Sequence, residues 1–141
     1  MKSLLVAALF AHLVIATAGA QGTITTFRVD GLIISKARYD SLKIEREHIT
    51  RIRSLPPAEA ASAYGSRANA GVAVITTSKM FVVKPASGEV RSAIDPQEKE
   101  TMLSSITESQ ILRMRNIDAR MLRSEIGKEN SAGGVIVYLR E

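Results

Sequence analysis

Apolar runs cut by glycine, proline and Asp-Gly pairs divide the chain into short strands and short helices. Thr23 to Ile34 is rich in β-branched residues and predicts one or two strands, broken at Asp30-Gly31. Asp-Gly is a turn signal because glycine accepts positive φ without steric cost. Lys36 to Ile49 is polar and mixed and predicts no defined element, and Arg51 to Leu55 predicts a short strand. Pro56 to Tyr64 predicts a short helix. Proline is tolerated in a first turn, Glu59 sits well for the helix dipole, and alanine is a strong helix former with little bulk. Gly65 follows at the left-handed stop position. Ser66 to Asn69 leads as a polar loop to Gly71, and Val72 to Thr77 is a strong strand. Strand, helix and strand then form a compact unit whose two strands are neighbours in one sheet.

The second half carries the same plan. Phe81 to Val83 and Glu89 to Ile94 predict strands around a Ser87-Gly88 turn. Asp95, Pro96 and Glu98 supply cap, first-position proline and third-position acid for a helix reaching about Ser105. Met114 to Ile117 is strand-like, Asp118 caps a helix to Ile126, Gly127 stops it, and Gly134 to Leu139 is the closing strand. The likeness extends to individual residues. At a spacing of 62, Ile44, Ile49, Arg51, Arg53, Ser62 and Gly65 meet Ile106, Ile111, Arg113, Arg115, Ser124 and Gly127. One extra loop residue then aligns Gly71, Val72 and Val74 with Gly134, Val135 and Val137 at a spacing of 63. The expected class is α/β (α+β): small mixed sheets with short helices, in two strand-helix-strand repeats over residues 21–79 and 80–141.

Residues 1–20 read as an address. Lys2 gives a positive start, Leu4 to Ile15 is apolar apart from His12, and Ala18-Gly19-Ala20 offers small residues to a signal peptidase. The apolar run is about a dozen residues, short of the roughly 20 that span a bilayer. Cleavage before Gln21 is expected and leaves 121 of the 141 residues. No later segment is long and apolar enough to span. The expected location is the periplasm or the outer membrane. Export permits disulfides, yet the chain has no cysteine, so folding rests on the core alone and N-terminal lipid attachment is ruled out. The net charge after cleavage is +4, from basic residues scattered among acids and apolar positions. Only Phe27, Tyr39, Tyr64, Phe81 and Tyr138 remain as aromatics, a poor supply of stacking platforms for nucleic acid. The charge reads as a solubilising surface, and no nucleic-acid partner is expected.

Candidate chemistry is thin. His48 is the one histidine outside the leader, with no cysteine to join it in a metal site, and reads as a surface residue. Gly-x-Ser-x-Gly is absent; the nearest string, Gly65-Ser66-Arg67, follows a helix rather than a strand. Gly127 to Gly134 lacks the Gly-Lys-Ser/Thr ending of a phosphate loop. The pairs Glu45/Glu47 and Glu98/Glu100 read as solvated faces or dipole partners. Met114, Met121 and Leu122 read as core filling. With no nucleophile–base pair, neither enzymatic activity nor a cofactor, metal or catalytic residue is expected.

Residues 28–77 resemble the plug domain of TonB-dependent outer-membrane receptors, most closely the starch-utilisation type found in Bacteroidetes. The resemblance is carried by Val29-Asp30-Gly31, by Ile49 to Leu55, and by Ala63-Tyr64-Gly65-Ser66-Arg67-Ala68-Asn69-Ala70-Gly71 running into Val72 to Thr77. The second repeat is a weaker echo. Three departures matter. Basic Arg53 replaces the family's carboxylate before the helix, and Pro56-Pro57 replaces its Lys-Gly/Asp stretch. No TonB-contacting motif lies between Gln21 and Phe27. Receptor barrels use about 22 strands around the plugged lumen, more than the remaining residues supply. A minimal eight-stranded barrel fits by count, but the helix signals and the lack of an aromatic girdle argue against it. The resemblance therefore implies a non-enzymatic binding or interaction module. Its expected partners are an outer-membrane receptor barrel or a TonB-like energy-coupling protein. The alternatives are a split or remnant plug acting with a separate barrel, and an enzyme of unrecognised class. The loops Ser66 to Ala70 and Lys128 to Gly133 are the first candidate contact surfaces.

Overall fold

A computed structural model describes residues 24–140; the expected leader lies outside the described residues. β1 (Thr26–Val29) and β2 (Leu32–Ser35) form a hairpin. Asp30 (φ 52°) and Gly31 (φ 106°) make its two-residue turn, the positive-φ pair that matches strand twist. α1 (Lys36–Leu42) follows, its first turn capped by the Ser35 hydroxyl. Then come β3 (Ile49–Leu55), α2 (Pro57–Tyr64) and β4 (Val72–Thr77). The second half repeats the plan with β5 (Met80–Lys84), β6 (Arg91–Ala93), α3 (Pro96–Leu103), β7 (Ile111–Ile117), α4 (Ala119–Ile126) and β8 (Gly134–Leu139). Each half closes one mixed four-stranded sheet, ordered β2-β1-β4-β3 and β6-β5-β8-β7. In each, the first and last strands are parallel neighbours and the outer pairs are antiparallel. The fold is α+β with two similar strand-helix-strand units.

Two details differ from the sequence reading. Lys36–Leu42 is helical, because Ser35 caps it and Tyr39 and Leu42, three residues apart, bury one face. From β3 to β4 and from β7 to β8 the spacing between the halves also stays at 62. Arg51 pairs with Thr76 and Arg113 with Tyr138, and Gly71 and Gly133 both take positive φ. Gly71 thus answers to Gly133 rather than to Gly134. Gly127 stops α4 in the left-handed conformation as expected. Gly65 has positive φ with an extended ψ of −166°, since the chain continues there into a 3₁₀ turn over Gly65–Ala68.

The inner faces of both sheets share one core. Phe27, Val29, Leu32, Ile34 and Ile75 from the first meet Phe81, Val83, Val135 and Val137 from the second. Tyr39 and Leu42 of α1, with Met102 and Leu103 of α3, complete it. The outer faces are covered separately. α2 lays Ala60 and Tyr64 over Val72 and Val74, and α4 lays Leu122 over Met80, Val82 and Ile136. Covered on both sides, β5 reads as a continuous apolar run instead of alternating.

A polar knot joins the halves. Lys99 of α3 is fully buried, and its ammonium donates to the carbonyls of Thr77 (2.8 Å) and Lys79 (2.9 Å), on either side of the inter-sheet link. It also lies 3.2 Å from the Asp30 carboxylate. Asp30 in turn accepts from the Thr77 amide (3.0 Å) and hydroxyl (2.6 Å). Burial pushes the Lys99 ammonium below its ordinary value against the attraction of Asp30. The second buried lysine, Lys79, reaches the Ile117 carbonyl (3.5 Å) and Glu45 (3.4 Å). Asn130 holds the same link through the Ser78 carbonyl. These lysines are not part of the solubilising surface that the charge pattern predicts.

Lys99→Met is expected to lower unfolding stability by about 3–5 kcal/mol, because it strands the buried Asp30 carboxylate. Adding Asp30→Asn is expected to return at least about 1 kcal/mol, as contacting partners are non-additive; urea unfolding of the four proteins measures both. Gly133→Ala is expected to be more damaging than Gly65→Ala. A Cβ at Gly133 would lie 2.2 Å from the Ile117 carbonyl, whereas one at Gly65 meets nothing within 4 Å. Both have positive φ, so Gly65→Ala isolates the backbone cost of about 1–3 kcal/mol.

Candidate functional site

The sheet edges, and the parts of the outer faces that α2 and α4 leave uncovered, are the sheet surfaces open to other molecules. Each sheet carries two arginines there, placed by the same local irregularity. β3 shifts register between Ile49 and Arg51, and β7 shifts between Ile111 and Arg113. A bulge adds one residue to the count, so the two-residue alternation slips. Ile49 and Ile52 both serve the core, as do Ile111 and Met114. Arg51 and Arg53, and likewise Arg113 and Arg115, therefore face outward.

In the second sheet this pair is occupied by the protein's own groups. The Arg113 guanidinium stacks over the Tyr138 ring at 4.2 Å from its centroid. Arg115 grips Glu125 of α4 through two parallel bonds of 2.8 and 3.1 Å and also donates to the Tyr138 hydroxyl (3.1 Å). These bonds hold the Glu125 carboxyl below its ordinary value. In the first sheet the counterparts of Tyr138 and Glu125 are Thr76 and Ala63. Neither can stack on or neutralise an arginine. Among the described residues, the Arg51 and Arg53 side chains have no ion-pair or hydrogen-bond partner. They are exposed and, with Val74 and Thr76, line a recess of about 120 Å³.

The sheet edges differ as well. Glu108 closes the β2 edge, accepting from the Ser35 amide (2.9 Å) and the Arg38 side chain (3.3 Å). α1 lies against β7, and Asn116 of that strand donates to the Leu42 and Lys43 carbonyls at the α1 C-terminus. β6 has only three residues. β3 is a seven-residue edge strand, and among the described elements it packs closely only on β4.

The loops singled out from sequence are more constrained than their composition implies. In the first, Ala68 is buried beneath α2 and its carbonyl accepts from the Gly71 amide. In the second, Asn130 is bonded to Ser78 and Gly133. His48 is part-buried, with Nδ1 3.4 Å from Glu45. Glu45 accepts from Asn116 (3.0 Å), and Glu100 pairs with Arg28, so neither is simply solvated. No group of three or more His, Cys, Asp or Glu that could hold a metal occurs among the described residues. An open groove of about 770 Å³ between β6 and α3 is lined by Glu89, Arg91, Asp95 and Glu98 among others, with no histidine or cysteine.

Desolvation would raise the Glu108 carboxyl, but the bonds from Ser35 and Arg38 outweigh it and hold the group below its ordinary value of 4.5. A depressed carboxyl contributes stability above 4.5 that disappears as pH falls through its folded value. Glu108→Gln is therefore expected to be less stable than the parent by about 1 kcal/mol at pH 7. The gap should close under more acidic conditions; an equal gap at pH 3 and pH 7 would contradict this. Comparison with family models, with curated proteins and with solved structures gave no match, so no family is assigned to the chain.

Proposed function

We propose that the chain is an exported, non-enzymatic protein with a plug-like fold, acting as a binding or interaction module in the periplasm or at the outer membrane. The observation that carries this reading is the seven-residue β3 edge, which lacks a close described neighbour on its outer side and bears two unpartnered arginines. An edge strand presents unpaired backbone donors and acceptors, so strand addition is a ready route to a partner. The residues resembling a receptor plug support the same reading. Val29-Asp30-Gly31 form the hairpin turn, Ile49–Leu55 the edge strand, and Val72–Thr77 the central strand paired to both. The partners that fit the resemblance are a receptor barrel or a TonB-like protein.

Expression of the full chain in a Gram-negative host, followed by fractionation and mass measurement, tests this. The expected result is a product beginning at Gln21, recovered from the periplasm or with the outer membrane. Co-purification with a barrel protein would favour the split-plug alternative. An intact chain beginning at Met1 and recovered from the cytoplasm would contradict the proposal.

A further inference from the structure

We propose that the outer edge of β3 receives an extended acidic segment of a partner protein, added as a fifth strand, whose carboxylates at every second position pair with Arg51 and Arg53. The proposal rests on the binding-module reading and names the chemistry of the partner.

Three observations converge on it. The two arginines stand on one face of an edge strand, two residues apart, so their Cα atoms are about 6.8 Å from each other. An added strand repeats its own side chains at that interval and sets them about 5 Å from those opposite. The second sheet provides an internal control. Arg115, the counterpart of Arg53, already holds a carboxylate in a two-bond grip, and Arg113, the counterpart of Arg51, is stacked on Tyr138. The same position in the first sheet is empty of both partners, because Ala63 and Thr76 replace them. Finally, among the described elements only β4 packs closely on β3, whereas Glu108 closes β2 and α1 lies against β7. Arginine suits this task because its planar fork matches a carboxylate with two parallel bonds.

The partner is thus a strand-forming segment with Asp or Glu alternating with neutral residues. A free small dicarboxylate would satisfy the arginines but leave the backbone edge unused.

The test uses the purified protein and three probes: a fluorescent eight-residue peptide alternating Thr and Glu, a peptide of the same composition with its four Glu in one block, and glutarate. The alternating peptide is expected to bind at least about tenfold more tightly than the block peptide. Arg51→Gln/Arg53→Gln should weaken it by a similar factor, whereas Arg113→Gln should leave it unchanged. Both variants lie on the surface, and an unaltered urea midpoint confirms that the fold is retained. Binding should weaken with added salt, and NMR shifts on titration should concentrate on the amides of residues 50–55. Equal binding of the two peptides, no effect of the double variant, or no binding at 1 mM would overturn the proposal. Full displacement of the peptide by an equal concentration of glutarate would also overturn it, since that marks a small-anion site. A protein that is exported and processed as expected but ignores the alternating peptide would refute this site alone, leaving the module reading intact.

Discussion

The Lys99 ammonium sits where water cannot reach it, and the arrangement of the whole chain follows from how it is satisfied. A buried charge is tolerated only when paired and hydrogen-bonded. Its partners come from two places distant from it in sequence: the turn of the first hairpin, and the Thr77–Lys79 stretch that leads from β4 to β5. Asp30 meets that demand because its residue adopts positive φ, turning the carboxylate toward Thr77 instead of solvent. The close approach of α3 to this turn also explains Gly31, where a Cβ would lie 2.8 Å from the Glu100 backbone. One side chain thus ties α3 to the first sheet and to the link between β4 and β5.

With the inner faces committed to a common core, the two halves differ on their outer faces and edges. The two halves use the same bulge and the same arginine spacing, yet their surfaces are opposite in kind. Tyr138 and Glu125 complete the second sheet from within the chain, whereas Thr76 and Ala63 leave the first incomplete. Similar backbones thus carry one arginine pair satisfied within the chain and one that is not, by two side-chain choices alone.

Much of the backbone is legible in the sequence because its signals are local. Asp30-Gly31 marks the hairpin, Asp95-Pro96 and Asp118 start helices, and the runs at Val72 and Gly134 can only be strands. α1 escapes because its buried face consists of just Tyr39 and Leu42 amid charged residues, too short for a helical period to emerge. The buried lysines escape for another reason: most of their partners are backbone carbonyls, which leave no trace in residue identity. The outward arginines are hidden by the bulge, which breaks the alternation that would reveal them. Only the spacing of 62 that relates β3 and β4 to β7 and β8 exposes both the pair and its missing partners.

The central claim is that the two sheets form a single cooperative structure, fastened by a shared core and the Lys99 knot. Native-state hydrogen exchange at the amides of Ile75 and Val137, one in each sheet's inner face, tests it most directly. Equal opening free energies, both matching global unfolding by urea, are predicted. Exchange of one amide through a separate opening several kcal/mol less costly than the other would show two independent halves and contradict the claim.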